Sequence, residues 1–125
     1  MKQKLITKEV EKRLLKYPLY SQEEVADKAV LVKFFNGPAT WIVCEAERRG
    51  DNDWMFFGWV DLGFGGEWGY FTFSEMAECR VPLRLRKPDG SVVTIGYTEV
   101  ERENTEHIGN GYRINMNGEL KKKAS

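Results

Sequence analysis

Histidine and cysteine are scarce in this chain, one and two among 125 residues. Cys44, Cys79 and His107 stand far apart, whereas zinc sites are built from close ligand pairs. The spacing points to two small thiols and a surface imidazole, and no metal or cofactor is expected. Net charge is missing as well, because 19 basic and 19 acidic side chains cancel. The balance is too even for a DNA mimic or a generally basic nucleic-acid binder, so any such partner needs a local patch. No apolar run approaches the length of a bilayer span. Met1 to Glu9 brings basic residues without the apolar stretch of a secretory leader. The expectation is a cytoplasmic protein with reduced cysteines and no membrane partner.

Aromatic residues are abundant, and they are concentrated. All four tryptophans and all seven phenylalanines lie between Val30 and Phe73. Short apolar runs parted by turn residues predict strands at about 29–35, 40–47, 54–60 and 68–73. Asn36-Gly37-Pro38 and the stretch from Arg49 to Asp53 read as tight turns, which favour an antiparallel meander. This middle is acidic, with three basic and eight acidic side chains over residues 29–79. The flanks are mildly basic.

Ahead of the strands, Thr7 suits a helix N-cap, and Glu9 and Lys16 suit the two dipole ends. Ile6, Val10, Leu14 and Tyr17 line one face, Glu9 precedes Arg13 by four residues, and Pro18 bars continuation. A helix over 8–16 follows, with a second short helical turn after Ser21. Ser74 reads as the cap of a short helix through Cys79; Ala77 then falls at the box position, so no reciprocal capping box is expected. Alternation in Leu83-Arg84-Leu85-Arg86, the turn Lys87-Pro88-Asp89-Gly90 and the run Val92 to Tyr97 predict a hairpin over 83–97. Asn117-Gly118 is a hairpin signal with weak flanks, and the terminal lysines read as a solvated tail. The length fits one domain. The expected fold class is α+β: a four-stranded antiparallel meander packed on an N-terminal amphipathic helix, with a short helix and a C-terminal β-hairpin.

Several segments resemble a known family. They are Leu5-Ile6-Thr7-Lys8-Glu9, Pro18-Leu19-Tyr20-Ser21-Gln22-Glu23, Val32-Lys33-Phe34-Phe35-Asn36, Trp54 through Gly58, and Gly69-Tyr70-Phe71-Thr72-Phe73-Ser74-Glu75. Together they resemble, over about residues 5–80, the small bacterial proteins grouped as domain of unknown function 2958. That family is often found on plasmids, phages and integrative elements. The resemblance implies a compact cytosolic domain in a mobile-element setting, with no established reaction. Family members commonly end soon after the segment matching Arg80, which makes residues 81–125 an added hairpin and tail.

Catalytic readings are weak. Gly63 to Gly69 is rich in glycine but runs into a strand, unlike a dinucleotide fingerprint, and no lysine follows as in a P-loop. Asp51, Asp53, Asp61 and Glu67 could in principle hold magnesium, although acids in turns are more often solvated. Cys79 sits at a helix end, where the dipole disfavours a thiolate. The feature that resists a bland account is aromatic residues on both strand phases. Trp54, Phe56 and Val60 oppose Met55, Phe57 and Trp59; Trp41, Val43 and Glu45 oppose Ile42, Cys44 and Ala46; Trp68 and Tyr70 oppose Phe71 and Phe73. Either helices or the C-terminal hairpin cover the second face, or it docks a partner.

The leading expectation is a non-enzymatic protein-interaction module, an accessory or anti-defence factor of a mobile element. It would bind a protein or a second copy of itself through Trp41, Trp59, Tyr70, Asp61 and Glu67. The alternative is nucleic-acid binding through Arg80, Arg84, Arg86 and Lys87. A third reading is a small enzyme using Asp61, Glu67 and His107 beside the glycine-rich loop.

Overall fold

Thr7 caps helix α1 (Lys8–Lys16), its hydroxyl accepting from the Val10 amide at 3.2 Å. Glu9 pairs with Arg13 one turn later at 3.4 Å. Val10 and Leu14 are fully buried, so the apolar stripe docks the helix as its spacing requires. The computed structural model describes residues 4–103 and 111–122; His107 lies outside them. After α1 the chain makes hydrogen-bonded turns through residue 24 without forming a helix there.

The strands that follow are β1 (Lys28–Ala29), β2 (Val32–Asn36), β3 (Ala39–Arg49), β4 (Asp53–Asp61) and β5 (Gly66–Thr72). Helix α2 (Phe73–Ala77) intervenes, and then come β6 (Arg80–Arg86), β7 (Val92–Glu99), β8 (Glu101–Arg102), β9 (Tyr112–Ile114) and β10 (Leu120–Lys122). All pairings are antiparallel. The largest sheet has the order β5-β4-β3-β2-β8. Two smaller sheets, β1-β9-β10 and the β6-β7 ribbon, complete the described chain.

This corrects the expected α+β class, because the protein is mostly β. The four consecutive strands β2 to β5 sit within a sheet of five, closed on one side by β8. The segment expected as one strand over 29–35 divides: Ala29 pairs with Arg113 of β9, while Val32 pairs with Val43 of β3. The cap of α2 also differs. Thr72, not Ser74, accepts from the Glu75 amide at 3.2 Å and donates its hydroxyl to Glu75 Oε1 at 2.7 Å. Moving the cap back two residues brings Glu75 to the third helical position, where a carboxylate answers a capping threonine. Ser74 is left to donate to Asp53, from its amide at 2.9 Å and its hydroxyl at 2.8 Å.

The large sheet buries both faces, each under different cover. On one face Phe34, Trp41, Val43, Trp54 and Phe56 form the main core with Val10 and Leu14 of α1 and Met76 of α2. On the other, Val30, Ile42 and Cys44 pack beneath Ile114 of β9, with Trp59, Trp68, Tyr112 and Leu120 around them. The Asn117-Gly118 turn joins β9 to β10, so the weak C-terminal signal marks the element that covers part of the second face. That cover stops short of Tyr70, which stays exposed.

Candidate docking pocket

The open part of the second face is shaped by an irregularity in β3. Val43 pairs with Gly58 and Glu45 with Phe57, so Cys44 is an extra residue on its strand. A bulge re-aims the side chains beyond it. Ala46 joins Trp41 and Val43 in the main core, and Glu45 turns to the face of Ile42 and Cys44. The expected opposition of Ala46 to Trp41 therefore reverses. Gly58 lies across from the bulge, and a Cβ there would sit 1.8 Å from the Ile42 carbonyl oxygen.

Glu45 is 1% exposed, yet its carboxylate is fully engaged. The Tyr20 amide donates to Oε1 at 2.7 Å and the Gln22 amide to Oε2 at 2.8 Å. Gln22, also buried, donates its side-chain amide to the Cys44 carbonyl at 2.7 Å and accepts from the Ala29 amide at 2.7 Å. Lys28 donates to the carbonyls of Gln22, of Val25 at 2.9 Å, and of Glu23 at 3.4 Å. Buried polar groups persist only when satisfied in this way. The network folds the loop from Tyr20 to Lys28 back over the sheet and makes it one wall of a pocket.

Aromatic rings form the opposite wall. Phe57 stacks on Trp68 with centroids 5.8 Å apart and meets Tyr70 at 4.9 Å. Tyr20 leans toward Tyr70 at 6.4 Å. The Trp68 indole nitrogen donates to the Met116 carbonyl at 3.0 Å, which brings the β9–β10 turn to the rim. Together these elements enclose about 410 Å³. Glu23 and Glu24 stand exposed at its lip, and neither makes an ion pair or side-chain hydrogen bond among the described residues. The Tyr70 hydroxyl is held above the ordinary tyrosine range, first by desolvation, then by its hydrogen bond to Tyr20 and the charges of Glu45 and Glu23. Burial pushes the Cys44 thiol up to about 12 against the opposing pull of Lys28.

The residues singled out from sequence are not all brought together. Tyr70 lines the pocket. Trp59 is half-buried on the same face, edge-on to Trp68 at 5.4 Å. Trp41 is 5% exposed inside the main core and offers nothing to a partner. Asp61 accepts from the Gly63 amide at 2.7 Å, a turn-forming bond. Glu67 pairs with Val60, whose side chain packs on the main core, while Asp61 pairs with Gly66 on the opposite phase. The pleat therefore sends these two carboxylates to opposite faces. Among the described residues no three His, Cys, Asp or Glu side chains gather as metal ligands.

Arg80, Arg84 and Arg86 pair with Glu99, Thr94 and Val92, all on one phase of the ribbon, and Lys87 follows at its turn. Arg80 also meets Glu99 at 3.4 Å. Glu45, Gln22, Lys28, Glu23 and Glu24 were not singled out from sequence. The available signal was Glu45 itself, a charge in the middle of the apolar run from Trp41 to Ala46.

Residues 5–89 match the family described as protein of unknown function, DUF2958, and the chain belongs to that family. The matched stretch holds every pocket residue except Met116, and it extends through β6 to the ribbon turn. No curated protein and no solved structure matches the chain.

Proposed function

We propose that this family member is a non-enzymatic protein-interaction module that grips its partner in the pocket framed by Tyr20, Phe57, Trp68 and Tyr70. The observation that supports the reading is a concave, aromatic-walled space of about 410 Å³ backed by a hydrogen-bonded loop. Rigid aromatic anchors in a preformed hollow are what interface hot spots are made of. In the mobile-element setting that the family resemblance implies, the partner is a host or element-encoded protein, and the role is that of an accessory or anti-defence factor. Tyr70→Ala removes an exposed ring without opening the core. Affinity capture with the wild type and with this variant, followed by direct binding of each purified candidate, tests the proposal. A partner lost on Tyr70→Ala and kept on Tyr97→Ala is the expected result; partners indifferent to Tyr70 overturn it.

A second reading has its own support. Arg80, Arg84 and Arg86 share one face of a two-stranded ribbon, a shape that enters the major groove of DNA. Binding through this face should weaken steeply with salt, and neutralising Arg84, Arg86 and Lys87 together should flatten that dependence. Binding insensitive to salt removes the reading.

A further inference from the structure

We infer that the pocket beside Tyr70 accepts an arginine side chain presented by a partner polypeptide. The inference rests on the docking role proposed above and names the chemistry that the site selects. The rings of Phe57, Trp68, Tyr70 and Tyr20 line one hollow, and aromatic faces attract cations. The protein already lodges one cation there, with Lys28 Nζ 5.9 Å from the Trp68 ring centre. That ammonium is 8% exposed and committed to three backbone carbonyls, and among the described residues it forms no ion pair with the carboxylates at the lip.

Around the hollow Glu23, Glu24 and Glu45 oppose the single charge of Lys28. Desolvation and Tyr20 do most to hold the Tyr70 hydroxyl above the ordinary tyrosine range, and the charges of Glu45 and Glu23 add to them. This excess of negative charge favours a cationic occupant. A guanidinium suits the space better than an ammonium, because it is planar, weakly hydrated and able to lie on a ring while forking to a carboxylate. Val25, Ala26 and Met116 complete the lining, and they give a long aliphatic stem an apolar track.

The test is NMR titration of the full chain with three blocked tripeptides, Gly-Arg-Gly, Gly-citrulline-Gly and Gly-Lys-Gly. Citrulline keeps the shape of arginine and removes its charge. The arginine peptide should shift the Trp68 indole and Tyr70 ring signals saturably, and the other two should bind several-fold more weakly. Glu23→Gln with Glu24→Gln should weaken the arginine peptide about fivefold, as loss of an exposed ion pair does, with unchanged melting. Equal binding of citrulline overturns the cation chemistry, equal binding of lysine overturns the choice of guanidinium, and no shift at Trp68 or Tyr70 overturns the site. If the arginine peptide fails while Tyr70→Ala still loses a purified partner, this inference falls and the docking reading stands. If both fail, the two fall together.

Discussion

The backbone amide of Tyr20 donates to the buried carboxylate of Glu45 at 2.7 Å and is held there at φ 73°, in the left-handed region. That conformation disfavours a tyrosine by about 1–2 kcal/mol. The bond spans two elements, since Tyr20 lies in the loop after α1 and Glu45 follows the bulge in β3. Strain of this kind collects at binding sites because the surroundings over-determine it. Here it sets the Tyr20 ring against Tyr70 at the pocket edge.

Glu45→Gln should destabilise the protein by about 2 kcal/mol, the range for charge-assisted bonds to a buried group. A glutamine carbonyl can accept from one amide, but its NH2 then faces the other donor. Urea denaturation gives the stability. The arginine-peptide titration should lose more affinity than the modest change in fold suggests, because the loop wall is released.

Tyr20→Gly should separate stability from binding. Glycine adopts positive φ without the steric penalty, which stabilises by up to about 1 kcal/mol. Tyr20 is largely exposed, so little burial is lost in return. The melting temperature should hold or rise while pocket affinity drops, and a fall in both would mean that the ring, not the strain, matters to the fold.

Local signals were legible in the sequence, and signals that depend on distant partners were not. Thr7, the Val10–Leu14 stripe and Pro18 fix α1 without outside help, and the turns at Gly37 and Gly90 fix two hairpins. The bulge at Cys44 has no local mark, because it is stabilised by Glu45 reaching amides in the loop after α1. The aromatic excess on both phases was real, but which face stays open depends on where Ile114 and Leu120 return. Those strands are three residues each, too short to show a period. Hence the phase of Tyr70 reads as an exposed ring and the structure leaves it exposed, whereas Trp41, read as surface, is buried, and Glu23 and Glu24 carry no local signal.

Gly118→Ala should loosen the cover of the second face. Gly118 has φ 82°, and a Cβ there would come within 2.3 Å of the Trp59 indole. The substitution combines left-handed strain with overpacking, for a loss of roughly 2 kcal/mol. Tryptophan fluorescence should change with it, since the hairpin that carries Gly118 also receives the Trp68 indole bond at Met116. An unchanged urea midpoint would show that the indole moves freely aside.

The two cysteines should differ sharply in reactivity. Cys79 is partly accessible, whereas Cys44 is fully buried with its thiol pushed up to about 12. An aromatic disulfide reagent at mildly alkaline pH should modify one thiol quickly and the second only at the rate of unfolding. The same shift has a sign for stability. In the unfolded chain Cys44 loses its proton near the ordinary thiol value, while in the folded chain it keeps the proton to about 12. Between those values the unfolded state binds fewer protons, so stability falls as pH rises, by about 1.4 kcal/mol for each pH unit in the window. Cys44→Ala should lose packing at neutral pH and flatten this alkaline slope. A slope equal to that of the wild type would assign the alkaline loss to other groups.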